Sequence, residues 1–184
     1  MTRIAKISAW TLLAGSAVAW SGCATDPTQG YTTTSQYVQS VDSVAVPMWL
    51  RGKQVYRRGM EFRLTEAIVK RIQQDTPYKI TKRSRADTEL RGTIDSISQR
   101  VLSVNPDTGS PRETEITINV SFTWTDLRSG DVLAEDSLHQ AGSYLPAQPV
   151  EAFRRRPEQD FFQGSEDVVN RLAERIVEYM EAKW

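Results

Sequence analysis

The chain offers one thiol and one imidazole, Cys23 and His139, and that scarcity limits its chemistry at once. A single cysteine cannot close an internal disulfide or build a cysteine-rich zinc site. A single histidine excludes any metal or catalytic scheme that needs two. No glycine-rich phosphate loop, no G-x-S-x-G elbow and no metal-ligand spacing occurs in the sequence. His139 falls at the end of a predicted strand without an acidic partner nearby, which suits a surface histidine. Asp75, Asp87, Asp95, Asp126 and Asp131 fall mostly in turn-forming stretches, where aspartate is expected as a turn or cap residue. An enzyme would need a spatial constellation that the sequence does not display.

Anion contact is the chemistry that remains. Three basic clusters stand out: Arg57–Arg58, Lys82–Arg83–Arg85 and Arg154–Arg155–Arg156. Charge runs ordinarily serve as solvated surface. The functional alternative is binding of phosphate, which arginine grips in a bidentate fork. On a chain that leaves the cytoplasm the plentiful anion is a lipid phosphate, not nucleic acid. Overall charge adds no polyanion signal, because 23 basic residues balance 23 acidic ones.

The N-terminus explains the thiol. Arg3 and Lys6 are followed by "ISAWTLLAGSAVAW" (residues 7–20), then Ser21, Gly22 and Cys23. A positive start, an apolar run and small residues make the order of a secretory signal. The apolar run is 14 residues, short of the ~20 that a spanning helix needs. The arrangement resembles a bacterial lipoprotein signal, in which the cysteine becomes the first mature residue and carries lipid. Trp20 stands where such signals usually place leucine, and Ala24 resembles the outer-membrane sorting pattern. The alternative is ordinary secretion with cleavage after "AVA", leaving a free thiol. Lipidation makes Cys23 an anchor rather than a catalyst, since each buried CH2 of an acyl chain adds ~0.8 kcal/mol of membrane affinity. Removing residues 1–22 takes Arg3 and Lys6 with it, so 21 basic face 23 acidic residues, a net −2.

Residues 24–39 ("ATDPTQGYTTTSQYVQ") are polar and broken by Pro27 and Gly30, as a tether is. The expected organisation is a signal over 1–22, a lipidated cysteine and tether over 23–40, and one domain over 41–184. Within it, "VDSVAVPMW" (41–49) is a short β-branched run ended by Pro47, which suits a strand. Met60, Leu64, Ile68 and Ile72 recur every four residues and form one apolar stripe of a helix. "DTP" at 75–77 stops that helix, and "YKITK" (78–82) is a second strand, giving a right-handed βαβ crossover. Residues 88–104 alternate, with a phase slip between Ile94 and Ile97 that a β-bulge near Asp95–Ser96 would absorb. After a loop at 105–112, Ile116, Ile118, Val120, Phe122 and Trp124 point one way. Glu115, Thr117, Asn119, Ser121 and Thr123 point the other. A turn at 126–131 leads into a strand near 132–142, completing an antiparallel meander. Residues 145–157 read as loop, and a helix over about 160–182 shows Phe161, Val168, Leu172, Ile176 and Met180 on one face. The expected fold class is α+β: five strands in a mixed sheet, a βαβ unit then a meander, with two helices on one face. The opposite sheet face is polar and meets water or a wet partner. Trp49, Trp124 and Trp184 are expected in the core or an interface.

The Cys23 signal, "GY" at 30–31, "SVAVPMW" and "YRRGMEFRLTEAIVKRIQQDTPYKITKRSRADTELRGTI" (56–94) together resemble the LptE family of lipopolysaccharide-assembly lipoproteins. The likeness is strongest over 41–94, and its motifs carry fold rather than catalysis. It implies an outer-membrane lipoprotein that plugs the lumen of the β-barrel LptD and serves lipopolysaccharide delivery to the outer leaflet, with no cofactor and no reaction. Lipopolysaccharide contact through basic residues is also implied, without assigned positions here. A generic outer-membrane lipoprotein, as a scaffold or pilot of a secretion system, would share the anchor and the fold.

Overall fold

A computed structural model describes residues 37–146 and 157–181. In chain order they form β1 (Ser43–Ala45), β2 (Leu50–Arg51), α1 (Met60–Asp75), β3 (Lys79–Ile80), a 3-10 turn (Arg83–Arg85), β4 (Thr88–Val104), β5 (Pro111–Asp126), β6 (Val132–Tyr144) and α2 (Pro157–Glu178). Six strands make one sheet in the order β3-β1-β4-β5-β6, with β2 also paired to β4. β1 is parallel to β3 and β4, and β2 is parallel to β4. β4, β5 and β6 form the antiparallel meander. The fold is α+β with a mixed sheet, as expected.

The sixth strand comes from splitting the run at 41–49. Pro47 has no N–H to give a sheet, so β1 ends at Ala45 and the chain rejoins β4 only at Leu50, which pairs with Thr93. Between them Trp49 turns into the core, 2% exposed. Its ring occupies the space a side chain at Gly92 would need, where a Cβ would lie 2.4 Å from ring carbons. Trp124, 1% exposed, is the second large core aromatic. Trp184 lies outside the described residues.

Helix α1 starts after Gly59, whose φ of 95° is a left-handed conformation that favours glycine. Glu61 accepts the Gly59 N–H at 3.0 Å. Met60, Leu64, Ile68 and Ile72 are all at most 1% exposed, so the four-residue stripe faces the core. Ahead of Pro77, Thr76 is extended and its hydroxyl donates to the Ile72 carbonyl at 2.7 Å, closing the helix end. α2 begins at Pro157, three residues before the expected start, because proline in a first helical turn forfeits no hydrogen bond. It turns Phe161, Val168, Leu172, Ile176 and Met180 inward. Arg71 of α1 joins Glu174 of α2 at 2.6 Å and also pairs with Asp75.

Across the meander the buried columns run Leu90–Trp124–Ala134 and Ile94–Val120–Leu138. The register between β4 and β5 slips between Ile94 and Ser96, which is the expected bulge. Two more irregularities fall near Ser103. The hairpin extends further than the turn residues suggested: pairing continues to Val104–Pro111, leaving 105–110 as loop. Packing also begins earlier than the expected domain start. Tyr37 bridges to Glu181 and stacks edge-on against Tyr78, with ring centroids 5.8 Å apart.

Candidate functional site

The face away from the core carries the polar side chains of the meander, in rows set by strand register. They are Arg91–Thr123–Glu135, Thr93–Ser121–Ser137, Ser96–Asn119–His139, Ser98–Thr117–Ala141 and Arg100–Glu115–Ser143. Short links tie the rows. The Asn119 amide donates to Ser96 Oγ at 2.8 Å, Ser121 Oγ donates to Asp95 at 3.2 Å, and Arg100 pairs with Glu115 at 2.9 Å. An open groove of about 570 Å³ crosses this face. Pro47, Met48 and Leu50 supply an apolar wall, while Arg91, Thr93, Ser121, Thr123 and Glu135 supply a polar floor. Met48 and Leu50 are 49% and 68% exposed.

At one end of the face Glu89 is 4% exposed. One of its oxygens receives Arg91 at 2.8 Å and Arg83 at 3.3 Å, while Oε1 has no hydrogen-bond partner among the described residues. Beside it Asp87 clamps three segments. Its carboxylate accepts the Ser43 hydroxyl at 2.8 Å and N–H at 3.0 Å, and pairs with Arg128 at 3.2 Å. The Ser43 hydroxyl, opposed by desolvation and aided by Arg128, holds the Asp87 carboxyl below its ordinary range. Away from this face, burial pushes the Tyr78 phenol up to about 12.

The singled-out cations separate into distinct settings. Arg57 lies over the Phe161 ring, 3.9 Å from its centroid, and donates to Gln99 at 3.0 Å, while Arg58 is exposed. Lys82 and Arg85 are exposed, and Arg83 serves Glu89. Glu89 and Gln99 stand ten residues apart on β4, roughly 30 Å at strand rise, so the 57–58 and 82–85 clusters do not form one patch. Cys23 and Arg154, Arg155 and Arg156 lie outside the described residues. The Glu89–Arg91 pair was missed by a search for consecutive charges. The available signal was spacing, since residues two apart on a strand share a face. His139 is on the open face in the row of Ser96 and Asn119, and no cluster of metal-ligating side chains occurs among the described residues. No described helix is long and apolar enough to cross a membrane.

The open groove and the charged end of the face offer surfaces for binding and docking. Comparison with known proteins agrees with the fold and extends it. A hypothetical protein from Chlamydia trachomatis superposes with a TM-score of 0.53 at 10% identity, covering 76% of this chain and 98% of that one. The PelC dodecamer protein from Paraburkholderia phytofirmans gives 0.52 at 15% identity, covering 82% and 96%. The rare lipoprotein B from Shewanella oneidensis is 20% identical, with a TM-score of 0.46 over 74% and 92%. No curated protein sequence matches the chain. The LptE lipopolysaccharide-assembly model matches residues 34–183. The chain therefore belongs to the LptE lipopolysaccharide-assembly family.

Proposed function

We propose that this chain is a non-enzymatic outer-membrane lipoprotein, anchored through Cys23, that plugs the LptD barrel and assists its assembly for lipopolysaccharide delivery. The observation that carries this reading is family membership over residues 34–183. The open face supports it physically. The lumen of an outer-membrane barrel is polar and wet, and rows of Ser, Thr, Asn, Arg and Glu suit such a lining. Lipid phosphate is the anion that Arg57, Arg58, Lys82, Arg83, Arg85, Arg154, Arg155 and Arg156 would meet, with Arg58, Lys82, Arg83 and Arg85 the exposed described members. No cofactor takes part.

Depletion tests the reading. Loss of the chain should leave the barrel polypeptide in a form without the heat-modifiable mobility of a folded barrel, and surface lipopolysaccharide should fall. Normal surface lipopolysaccharide and a normally folded barrel would contradict it. Cys23→Ser should yield a precursor that fractionates away from the outer membrane; an unchanged distribution would remove the anchor assignment.

A further inference from the structure

β4 outgrows its neighbours on one side. β1 pairs with it at Thr88–Glu89 and β2 at Thr93–Ile94. The Gly52 N–H then donates to the Ile94 carbonyl at 2.8 Å, and the chain turns away with Val55 N–H on the Gly52 carbonyl. From Ser96 to Val104 this side of β4 has no backbone partner among the described residues.

The other long edge is different. On β6, the Ser137 N–H is taken by the Asp136 carboxylate at 2.7 Å, the His139 carbonyl by Arg175 at 3.1 Å and the Ala141 carbonyl by the Gln140 amide at 3.1 Å. Three side chains thus close the β6 edge against an added strand. The same bonds fix the direction of the ladder. Odd residues of β6 face out, so even residues of β5 bond β6, and Asn119 and Thr117 bond Ser96 and Ser98 of β4. Ile97, Gln99 and Val101 therefore turn their N–H and C=O groups outward, with no cap among the described residues.

Two further observations say what fits there. Val101, Leu102 and Val104 are 49%, 43% and 55% exposed at the far end of the edge. At its near end Arg51, Lys53 and Arg58 are exposed without an ion pair among the described residues, and Arg57 reaches Gln99. The carboxylates alongside are engaged, Glu61 by the Gly59 N–H and Asp95 by Ser121. We propose that the β4 edge from Ile97 to Val101 receives an extended segment of a partner polypeptide as an added strand, acidic beside Arg51, Lys53 and Arg58 and apolar beside Val101 and Leu102. Backbone bonding supplies the attachment and the charged corner sets its direction. This goes beyond the barrel reading, because it fixes the chemistry of one contact without requiring the partner to be a barrel.

The test uses the full chain in its native envelope, with a photocrosslinking amino acid at Ser98 or at Ser137. Both positions are on the open face, one beside each edge, so a partner merely lying over the face labels both. The expected result is adducts at Ser98 that map to one extended segment bearing Asp or Glu, with few at Ser137. Val101→Pro removes one outward N–H and spares the β4–β5 ladder; it should cut the Ser98 adduct about tenfold while the melting temperature stays close to that of the parent. Should that variant fail to fold, Lys53→Glu with Arg58→Glu, both exposed, must reduce the same adduct. Equal labelling at the two positions, adducts to a second copy of this chain, a mapped segment without acidic residues, or adducts indifferent to these substitutions would overturn the proposal. Continued co-purification of a barrel alongside any of those outcomes would leave the barrel reading standing.

Discussion

The two faces of the sheet share the same strands and almost nothing else. On β5, Ile116, Ile118, Val120, Phe122 and Trp124 are all at most 2% exposed under the helices. Their neighbours Glu115, Thr117, Asn119, Ser121 and Thr123 are half-buried among hydroxyls, amides and charges. A strand with period two can serve both masters because each residue faces only one of them. The lesson is a division of labour: the covered face holds the fold, and the open face is free to meet a partner without weakening it.

Substitutions break or sharpen that contrast, and the covered face should respond most. Trp124→Ala removes the largest side chain from the Leu90–Trp124–Ala134 column and should cost ~3–5 kcal/mol in denaturant unfolding. Leu64→Ala, which opens a hole where α1 faces the core, should cost ~2–5 kcal/mol. A cost near zero at either would mean that the buried face is misassigned. Gly92→Ala drives a methyl into the Trp49 ring and should cost ~1–3 kcal/mol, read as a fall in melting temperature with a change in Trp fluorescence. On the open face, Thr123→Ala should change stability by no more than about 0.5 kcal/mol, so a large loss there would end the division of labour.

Protons probe the same contrast. Tyr78 is raised by burial to about 12. Above pH 10 an unfolded tyrosine ionises while the folded one resists, so this stability is full below pH 10 and lost between about 10 and 12. Tyr78→Phe should flatten that alkaline limb. Asp87 works in the opposite direction. Its folded carboxyl is held below 3.8, so its stability is present above that pH and lost as pH falls further. Asp87→Asn should remove that part of the acid limb; an unchanged limb would show that the clamp on Ser43 contributes nothing.

Periodicity made the helices, the meander and the bulge legible. The stripe from Met60 to Ile72 and the phase slip after Ile94 are local patterns, and local patterns survive in a one-dimensional string. What joins distant positions was not legible. Asp87 holds Ser43 across 44 positions, and Arg71 meets Glu174 across 103. Nothing in the spacing of those residues marks the pair. The division of the first strand at Pro47 was half visible: the proline was there to read, but the rejoining at Leu50 depends on β4 extending alongside. The basic clusters show the same limit. Consecutive arginines read as patches, whereas the fold spends Arg83 on Glu89, lays Arg57 over Phe161 and leaves Arg58 outside.

The central claim is that this LptE-family chain works as the inner partner of an outer-membrane barrel. A tagged pull-down from detergent-solubilised envelopes, read by mass spectrometry, addresses it most directly. The account expects one large outer-membrane β-barrel protein recovered in stoichiometric amount. Recovery of the lipoprotein alone, or with a secretion ring in place of a barrel, would contradict it.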